Sequence, residues 1–151
     1  MSQAAELNIT TDEWPLIEPG PYQAVIRGWR TSQPFKAEKL VLELDVLVPG
    51  EEGKQRTVRL NRYYNVRRTK GRLHASPATD FYREWVLITG RRPTRRGRLA
   101  ASALVNVMVE VRVETVTQAA PRGGRRRPLP EGAHYSVVRE ILSVIAGGHP
   151  R

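Results

Sequence analysis

Apolar and polar residues alternate along four segments of the chain, with the period of two that is typical of half-buried β-strands. The segments are 20–31, 39–49, 57–67 and 104–116. The second is the clearest, because Glu43 and Asp45 share one face while the other face is aliphatic and consists of Leu40, Leu42, Leu44, Val46 and Val48. The alternation predicts a mainly β protein.

The last two predicted strands lie in the C-terminal third of the chain. Segment 104–116 places alternate valines on one predicted inward face: Val105, Val107, Val109, Val111 and Val113. Segment 134–145 fits the apolar spacing of a helix as well as that of a strand. We favour a strand through about residue 142.

One helix is predicted over "SPATDFYREWVLITG", residues 76–90. Ser76 suits the N-cap, Pro77 the first helical position and Gly90 the left-handed C-terminal stop. A single apolar face is formed by Phe81, Tyr82, Trp85 and Ile88. This helix is predicted to pack against the core of the sheet.

The paired tyrosines of "LNRYYNVRR", residues 60–68, must point to opposite faces of a regular strand. Tyr64 shares its parity with an apolar set that only Arg62 interrupts, namely Val58, Leu60 and Val66. We therefore predict that Tyr64 lies in the core and that Tyr63 stands exposed between arginines. A β-bulge in this strand would exchange the two roles.

Charge adds a function class to this fold prediction. The chain has 25 basic residues, 21 of them arginine, against 15 acidic ones, which gives a net charge of +10. Most of the bases fall in three clusters, 54–72, 91–98 and 122–127, whereas residues 1–18 carry four acids and no base. Arginine pairs bidentately with phosphate and stacks on bases, so clustered arginine favours a polyanionic partner.

Enzymatic chemistry has little support in the sequence. Asp80 and Glu84 lie four residues apart, but we interpret them as a solvated helix face near Arg83 rather than a catalytic pair. The chain has no cysteine, and its histidines lack metal-ligand spacing and are interpreted as solvated loop residues: His74, His134 and His149. No phosphate-binding glycine loop or nucleophile elbow is present. We predict no enzymatic activity, no metal and no cofactor.

Three strands, one helix and two more strands follow one another in the order of the OB-fold. Over about residues 18–145 the chain resembles OB-fold single-stranded-DNA-binding proteins, especially compact forms from phages, plasmids and integrated mobile elements. The resemblance implies a five-stranded Greek-key barrel with its helix between strands three and four. It also implies a homo-oligomer, such as a dimer or tetramer, that coats single-stranded DNA in replication or recombination without sequence specificity.

Candidate binding residues follow from the basic clusters and from aromatic residues outside the predicted core. The predicted stacking residues are Trp29, Phe35 and Tyr63, where Trp29 shares the strand parity of Val25. Trp14 and Trp85 are interpreted as packing residues. The predicted phosphate contacts are Arg59, Arg67, Arg68, Arg91, Arg92, Arg95, Arg96, Arg122, Arg125, Arg126 and Arg127.

The predicted organisation is an acidic flexible tail (1–18), one OB-like domain (19–146) and a short flexible C-terminus (147–151). The acidic tail is also a candidate competitor for the basic surface. With no secretory signal and no apolar run of about 20 residues, the sequence predicts a cytoplasmic protein without a membrane partner. Two alternatives remain open: an RNA-binding OB domain, and a non-enzymatic structural or assembly protein of a phage or mobile element.

Overall fold

The residues that the structure describes form seven strands and one α-helix. The structure is a computed structural model, and it describes residues 7–8, 14–32, 38–93, 99–119 and 126–146. In chain order the elements are β1 (Gly20–Ser32), β2 (Lys39–Pro49), β3 (Gln55–Asn65), β4 (Arg67–Thr69), β5 (Arg72–His74), α1 (Asp80–Thr89), β6 (Met108–Val116) and β7 (Tyr135–Ala146). The mainly β prediction is confirmed.

Five of the strands form one antiparallel sheet in the order β3-β2-β1-β6-β7. Strands β1, β2 and β3 follow one another directly, and β6 returns to lie beside β1, which is the Greek-key arrangement. Helix α1 lies in the connection from β3 to β6, so the predicted position of the helix is confirmed. The edge strands β3 and β7 contact each other. No ladder joins them within the described residues, so the sheet is not closed into a barrel.

The core occupies the face of the sheet that the alternating pattern predicted. All five aliphatic residues of β2 named above are buried, and so are Val58, Leu60 and Tyr64 of β3. Val107, just before β6, and the alternate valines Val109, Val111 and Val113 of β6 complete this face. Helix α1 covers it with Phe81, Trp85 and Ile88, the last two of which lie one turn apart on the buried face.

Several strand boundaries differ from the sequence prediction, three of them by enough to change the picture. Strand β6 begins at Met108, because a 3₁₀ turn occupies Ala101–Leu104 and Asn106 has a left-handed φ of 68° that interrupts extended backbone. Val105 is consequently only half-buried. The ambiguous C-terminal segment is a strand, as favoured, but it continues to Ala146. Strand β3 ends at Asn65, and a separate hairpin of β4 and β5 follows it.

The predicted start of the helix is wrong by three residues. Thr79, and not Ser76, is the N-cap residue, and Asp80 is the first helical residue. Thr79 donates from its backbone N (3.0 Å) and its Oγ1 (2.7 Å) to the carbonyl oxygen of Ser76, which makes residues 76–79 a turn that precedes the helix. The predicted stop is confirmed, since Gly90 has a φ of 66° and its N–H bonds to the Val86 carbonyl at 2.8 Å.

A β-bulge at Arg27 changes the facing of the end of β1. Ile26 pairs with Leu44 on β2, but the next pair is Gly28 with Glu43, so Arg27 is the extra residue. Trp29 therefore pairs with Leu42, whose side chain lies on the core face. The prediction that Trp29 shares the face of Val25 is wrong, because one inserted residue reverses the alternation beyond it.

The last residues of the acidic N-terminal segment pack against β7. The Ser136 N–H donates to the Pro15 carbonyl at 2.9 Å. The Ser136 hydroxyl accepts from the Ile17 N–H at 2.8 Å and donates to the Ile17 carbonyl at 3.2 Å. Ile17 is itself part of the buried core. The packed part of the chain thus includes residues 14–18.

Candidate nucleic-acid interface

An open groove of about 1010 Å³ lies beside Trp29 at one end of the sheet. The Trp29 side chain is 51% exposed. The groove is lined by apolar residues of several elements, including Leu40, Leu73 and Phe81, and by the polar residues Thr69, Arg72 and His74. We call it the Trp29 groove. Its combination of an exposed indole and an apolar lining suits a flat aromatic ligand such as a nucleobase.

The β4–β5 hairpin supplies positive charge to this groove. All its residues are exposed, and its tight turn places Lys70 (φ 51°) and Gly71 (φ 77°) in the left-handed region, as type I′ hairpin turns require. Arg68 bonds to the Glu38 carboxylate at 2.7 Å and to the Gly71 carbonyl at 2.8 Å. The remaining bases of the hairpin form no ion pair with any residue in the described ranges: Arg67, Lys70 and Arg72.

The outer face of β1–β3 carries a second group of arginines together with acids. Arg59 bonds to Asp45 at 2.7 Å and lies 3.5 Å from a Glu43 oxygen. Arg27 bonds to the other Asp45 oxygen at 2.9 Å. The hydrogen bond from Arg59, with help from Arg27, holds the pKa of Asp45 below its usual value although partial burial opposes this. Arg59 is therefore only partly available to a phosphate.

Tyr63 lies on the outer face, as predicted, and Tyr64 in the core. Strand β3 pairs with β2 without a bulge, so the predicted parity holds along it. Tyr64 is 1% exposed. Tyr63 is half-buried rather than exposed, because it pairs across the strands with Val41, which is fully buried on this face. Its hydroxyl accepts a hydrogen bond from the Asn61 amide at 3.1 Å.

A smaller groove of about 550 Å³ lies at the free edge of β3 and extends to residues of β2 and β1. Four consecutive residues of β3, 56–59, line it, and their side chains alternate between the two faces. The other lining residues include Trp14, Pro15, Arg30 and Asn61. We call it the Trp14 groove. Trp14 was interpreted as a packing residue, but only about half of its side chain is buried and 47% is exposed.

The interpretation of Glu84 as a solvated residue is wrong. Glu84 is 2% exposed and its Oε1 accepts hydrogen bonds from the Tyr64 hydroxyl (2.9 Å), Arg62 Nε (3.1 Å) and the Ile141 N–H (3.1 Å). Its Oε2 accepts from Arg62 Nη2 at 2.6 Å. Asp80 does face solvent and pairs with Arg83 at 2.8 Å, as interpreted. The carboxylate of Glu84 thus joins α1, β3 and β7 inside the core.

Burial and the interactions with Glu84 shift the pKa values of Arg62 and Tyr64. Burial opposes the charge of Arg62, but its hydrogen bonds with Glu84 and the charges around it raise the pKa of Arg62 above the usual value. Burial, followed by the negative charge of Glu84, raises the pKa of Tyr64 well above 10.0. The Arg62 guanidinium also lies 4.3 Å from the centre of the Tyr64 ring. Arg62, the fourth base in the first basic cluster, is therefore structural and not available to a ligand.

The other predicted phosphate contacts lie away from the two grooves or outside the described residues. Arg91 and Arg92 are exposed just after the helix stop at Gly90. Arg126 and Arg127 are exposed in the β6–β7 connection, where the Arg127 carbonyl accepts from the Ala119 N–H at 2.7 Å. The candidates outside the described ranges are Phe35, Arg95, Arg96, Arg122 and Arg125.

Neither comparison with known proteins nor a search for metal-binding side chains assigns a function. The sequence matches no protein-family model and no curated protein. Within the described ranges, no group of three or more histidine, aspartate or glutamate side chains is placed to hold a metal ion. In the same part of the chain no helix is long and apolar enough to span a membrane. The features of the molecule that bear on function are therefore the two grooves and their charges.

Two features of the interface were not found from the sequence. The β4–β5 hairpin was not predicted, because the predicted third strand ends at residue 67, although "TKG" at residues 69–71 is a usable turn signal. The contact of the N-terminal segment with β7 was also missed. Its signal is the apolar group Trp14, Leu16 and Ile17, which is unusual in an acidic tail. The strand on which such a short group packs is decided by the fold. The pattern of apolar residues along the chain does not identify that strand.

Proposed function

We propose that the protein binds single-stranded DNA without sequence specificity. The observation that carries this proposal is the Trp29 groove, where a half-exposed indole and an apolar lining adjoin a hairpin with three bases that pair with no acid in the described part of the chain. Every base has a π-face, so stacking on Trp29 tolerates all sequences. The hairpin arginines and lysine attract phosphates without reading bases.

The topology supports an OB-like architecture for this function. In the sheet order β3-β2-β1-β6-β7, the two edge strands are in contact, and hydrogen bonds between them would complete a five-stranded barrel. The helix lies in the connection between the third and fourth strands of that sheet. OB-folds are partly open Greek-key barrels that bind oligonucleotides on the face of strands two and three and on adjoining loops. Tyr63 and Arg59 lie on that face here.

The mechanism is electrostatic attraction followed by stacking. If about five phosphates are neutralised per bound protein, the logarithm of the binding constant should fall with the logarithm of the salt concentration at a slope near −3 to −4, from roughly −0.7 per phosphate. Single strands should be preferred, because a base paired within a duplex cannot reach the indole. Duplex DNA would meet only the charges.

The test is a salt titration of the protein with labelled oligo-dT, with RNA of the same length and with duplex DNA. We expect oligo-dT to bind more tightly than the duplex and Trp29→Ala to weaken oligo-dT binding by about 1–3 kcal/mol. Tight duplex binding with weak oligo-dT binding would contradict the proposal. Tighter binding of the RNA would assign the groove to RNA instead.

A charge-matched pair of variants separates the hairpin from general surface charge. Arg72 lines the Trp29 groove, whereas Arg83 is an exposed arginine on α1 that lines neither groove. Arg72→Ala and Arg83→Ala lower the net charge equally. We expect Arg72→Ala to weaken oligo-dT binding more at moderate salt. Equal losses would show that the hairpin has no special role in binding.

A further inference from the structure

We propose that Trp14, in the acidic N-terminal segment, is a second stacking residue for the bases of a bound single strand, in the Trp14 groove at the free edge of β3. This inference rests on the proposed function and adds a contact to it. The N-terminal segment then contributes to binding, whereas its acidic charge by itself suggests a flexible tail that competes with nucleic acid for the basic surface.

Trp14 is held in place by its neighbours in the chain. The Pro15 carbonyl accepts a hydrogen bond from the Ser136 N–H, and the Ser136 hydroxyl bonds to both the N–H and the carbonyl of Ile17. The Ile17 side chain is buried in the core. A residue with anchors one and three positions away loses little conformational entropy when a base stacks on it, and preorganisation of this kind favours binding.

The indole of Trp14 keeps a face open for a base. Trp14 meets the Tyr135 ring in a T-shaped contact, with centroids 4.7 Å apart and an angle of 62° between the planes. In such a contact Tyr135 covers at most one face of the indole. The 47% exposure of Trp14 agrees with this geometry. The contact with Tyr135 orients the ring, and the open face points to a stacking role beyond packing.

Aromatic and basic residues surround this position. Tyr63 lies close enough to Tyr135 to contribute, after burial, to the raised pKa of the Tyr135 phenol. Three arginines and one acid, Glu43, line the groove: Arg30, Arg56 and Arg59. Arg30 and Arg56 form no ion pair with a described residue. Phosphates on either side of a base stacked on Trp14 would therefore meet cations.

Leu16 offers a matched control for substitution of Trp14. Its side chain is also an exposed apolar group of the same segment, at 56%, but it does not line the Trp14 groove. We expect Trp14→Ala to weaken binding of oligo-dT by roughly 5- to 150-fold, the range of one lost stacking contact. Leu16→Ala should bind as the parent does. Affinities are measured well below the melting temperature of each variant.

Fluorescence gives a second measurement that loss of packing would not produce. Trp14→Phe retains an aromatic ring against Tyr135, while Trp29 and the buried Trp85 remain as emitters. If bases stack on Trp14, oligo-dT should quench the emission of the parent more than that of Trp14→Phe. Equal quenching, or parental affinity in Trp14→Ala, would overturn the inference and leave the proposed function standing. Failure of the parent protein to bind oligo-dT would overturn the proposed function itself.

Discussion

Arg59 and Arg62, two of the three arginines of strand β3, lie three residues apart on opposite faces of the sheet. Arg59 lies on the outer face with half of its side chain exposed, and it pairs with two carboxylates that are themselves accessible. Arg62 lies on the core face, where only 6% of its side chain is exposed, and it pairs with the buried Glu84. The same residue type in the same basic cluster thus contributes to a surface in one case and to the core in the other.

This difference shows that the number of basic residues in a stretch of sequence does not give the positive charge on the surface of the folded protein. An exposed ion pair is stabilised weakly, so Arg59 can exchange its partner for a phosphate at little cost. A buried pair is different, since removal of one partner leaves an uncompensated charge in the core. Arg62 is therefore committed to Glu84, and the positive surface of β3 is smaller than the sequence indicates.

The largest expected effect is on stability at the core face. Arg62→Ala should lower the free energy of unfolding by about 3–5 kcal/mol, because Glu84 would remain buried without its cation. Arg59→Ala should cost less than about 1 kcal/mol, as exposed pairs do. Urea denaturation of both variants measures the difference. Similar stabilities for the two would contradict the assignment of Arg62 to the core.

A double variant sharpens this result. Arg62→Met with Glu84→Leu removes both charges together, so it should be more stable than Arg62→Ala. It should not reach the stability of the parent, because the Tyr64 hydroxyl and the Ile141 N–H both lose the acceptor that Glu84 supplies. A double variant less stable than Arg62→Ala would show that Glu84 acts mainly through these two neutral donors.

The two tyrosines extend the comparison to aromatic residues. Tyr64→Ala should cost about 3–5 kcal/mol of stability, as truncation of a buried aromatic residue does. Tyr63→Ala should cost less stability, through exposure of Val41, and should weaken oligo-dT binding by about 1–3 kcal/mol. Melting temperature and oligo-dT affinity are measured for both. If Tyr63→Ala binds as the parent does, the outer face of β3 is not a stacking surface.

On strand β3, alkaline pH should act on the core face through Tyr64. The pKa of Tyr64 is raised in the folded state, so the unfolded chain releases its proton first, near pH 10.0. The stability that this shift contributes is complete below pH 10.0 and is lost as the pH rises toward the folded-state pKa. Tyr64→Phe should therefore reduce the fall in stability between pH 9 and pH 11, measured by urea denaturation. Tyr63→Phe serves as the control.

The smallest expected effect concerns Asp45 on the outer face. Asp45→Asn removes the carboxylate that both Arg27 and Arg59 contact, so both guanidinium groups become more available to phosphate, although Arg59 keeps Glu43 at 3.5 Å. We expect oligo-dT binding to become a few-fold tighter at low salt. In the same background, Arg59→Ala should reverse more of the gain than Arg83→Ala, which removes the same charge at a position that lines neither groove. Equal reversal by the two variants would point to general charge as the cause.

The dependence of stability on acid pH tests the interaction of Asp45 with Arg59 and Arg27. The pKa of Asp45 is lowered, so its pairing contributes stability above the ordinary value of 3.8 and loses it as the pH falls through the lower folded-state value. The effect should be small because the pair is accessible to solvent. Asp45→Asn should flatten this part of the stability profile, and an unchanged profile would mean that the pair adds nothing.

The sequence was sufficient for the five strands of the main sheet, for most of their inward faces and for the stop of the helix, because each depends on residues adjacent in the chain. Leu40 to Val48 on β2, Tyr64 on β3 and Gly90 after α1 all lie as the sequence predicts. The sequence also indicated an excess of positive charge. It was less informative about the site, where it indicated Trp29 and the outer position of Tyr63 but placed Trp29 on the wrong face.

The tertiary structure decided which of these residues a ligand can reach. The bulge at Arg27 turned Trp29 toward a groove, the bonds of Ser136 brought Trp14 to the edge of β3, and the fold placed Glu84 beside Arg62. Each of these outcomes joins residues that are distant in the chain or depends on one inserted residue. The alternation of residues along the chain encodes neither a contact between distant residues nor the position of a bulge. Burial and pairing across strands are properties of the assembled sheet.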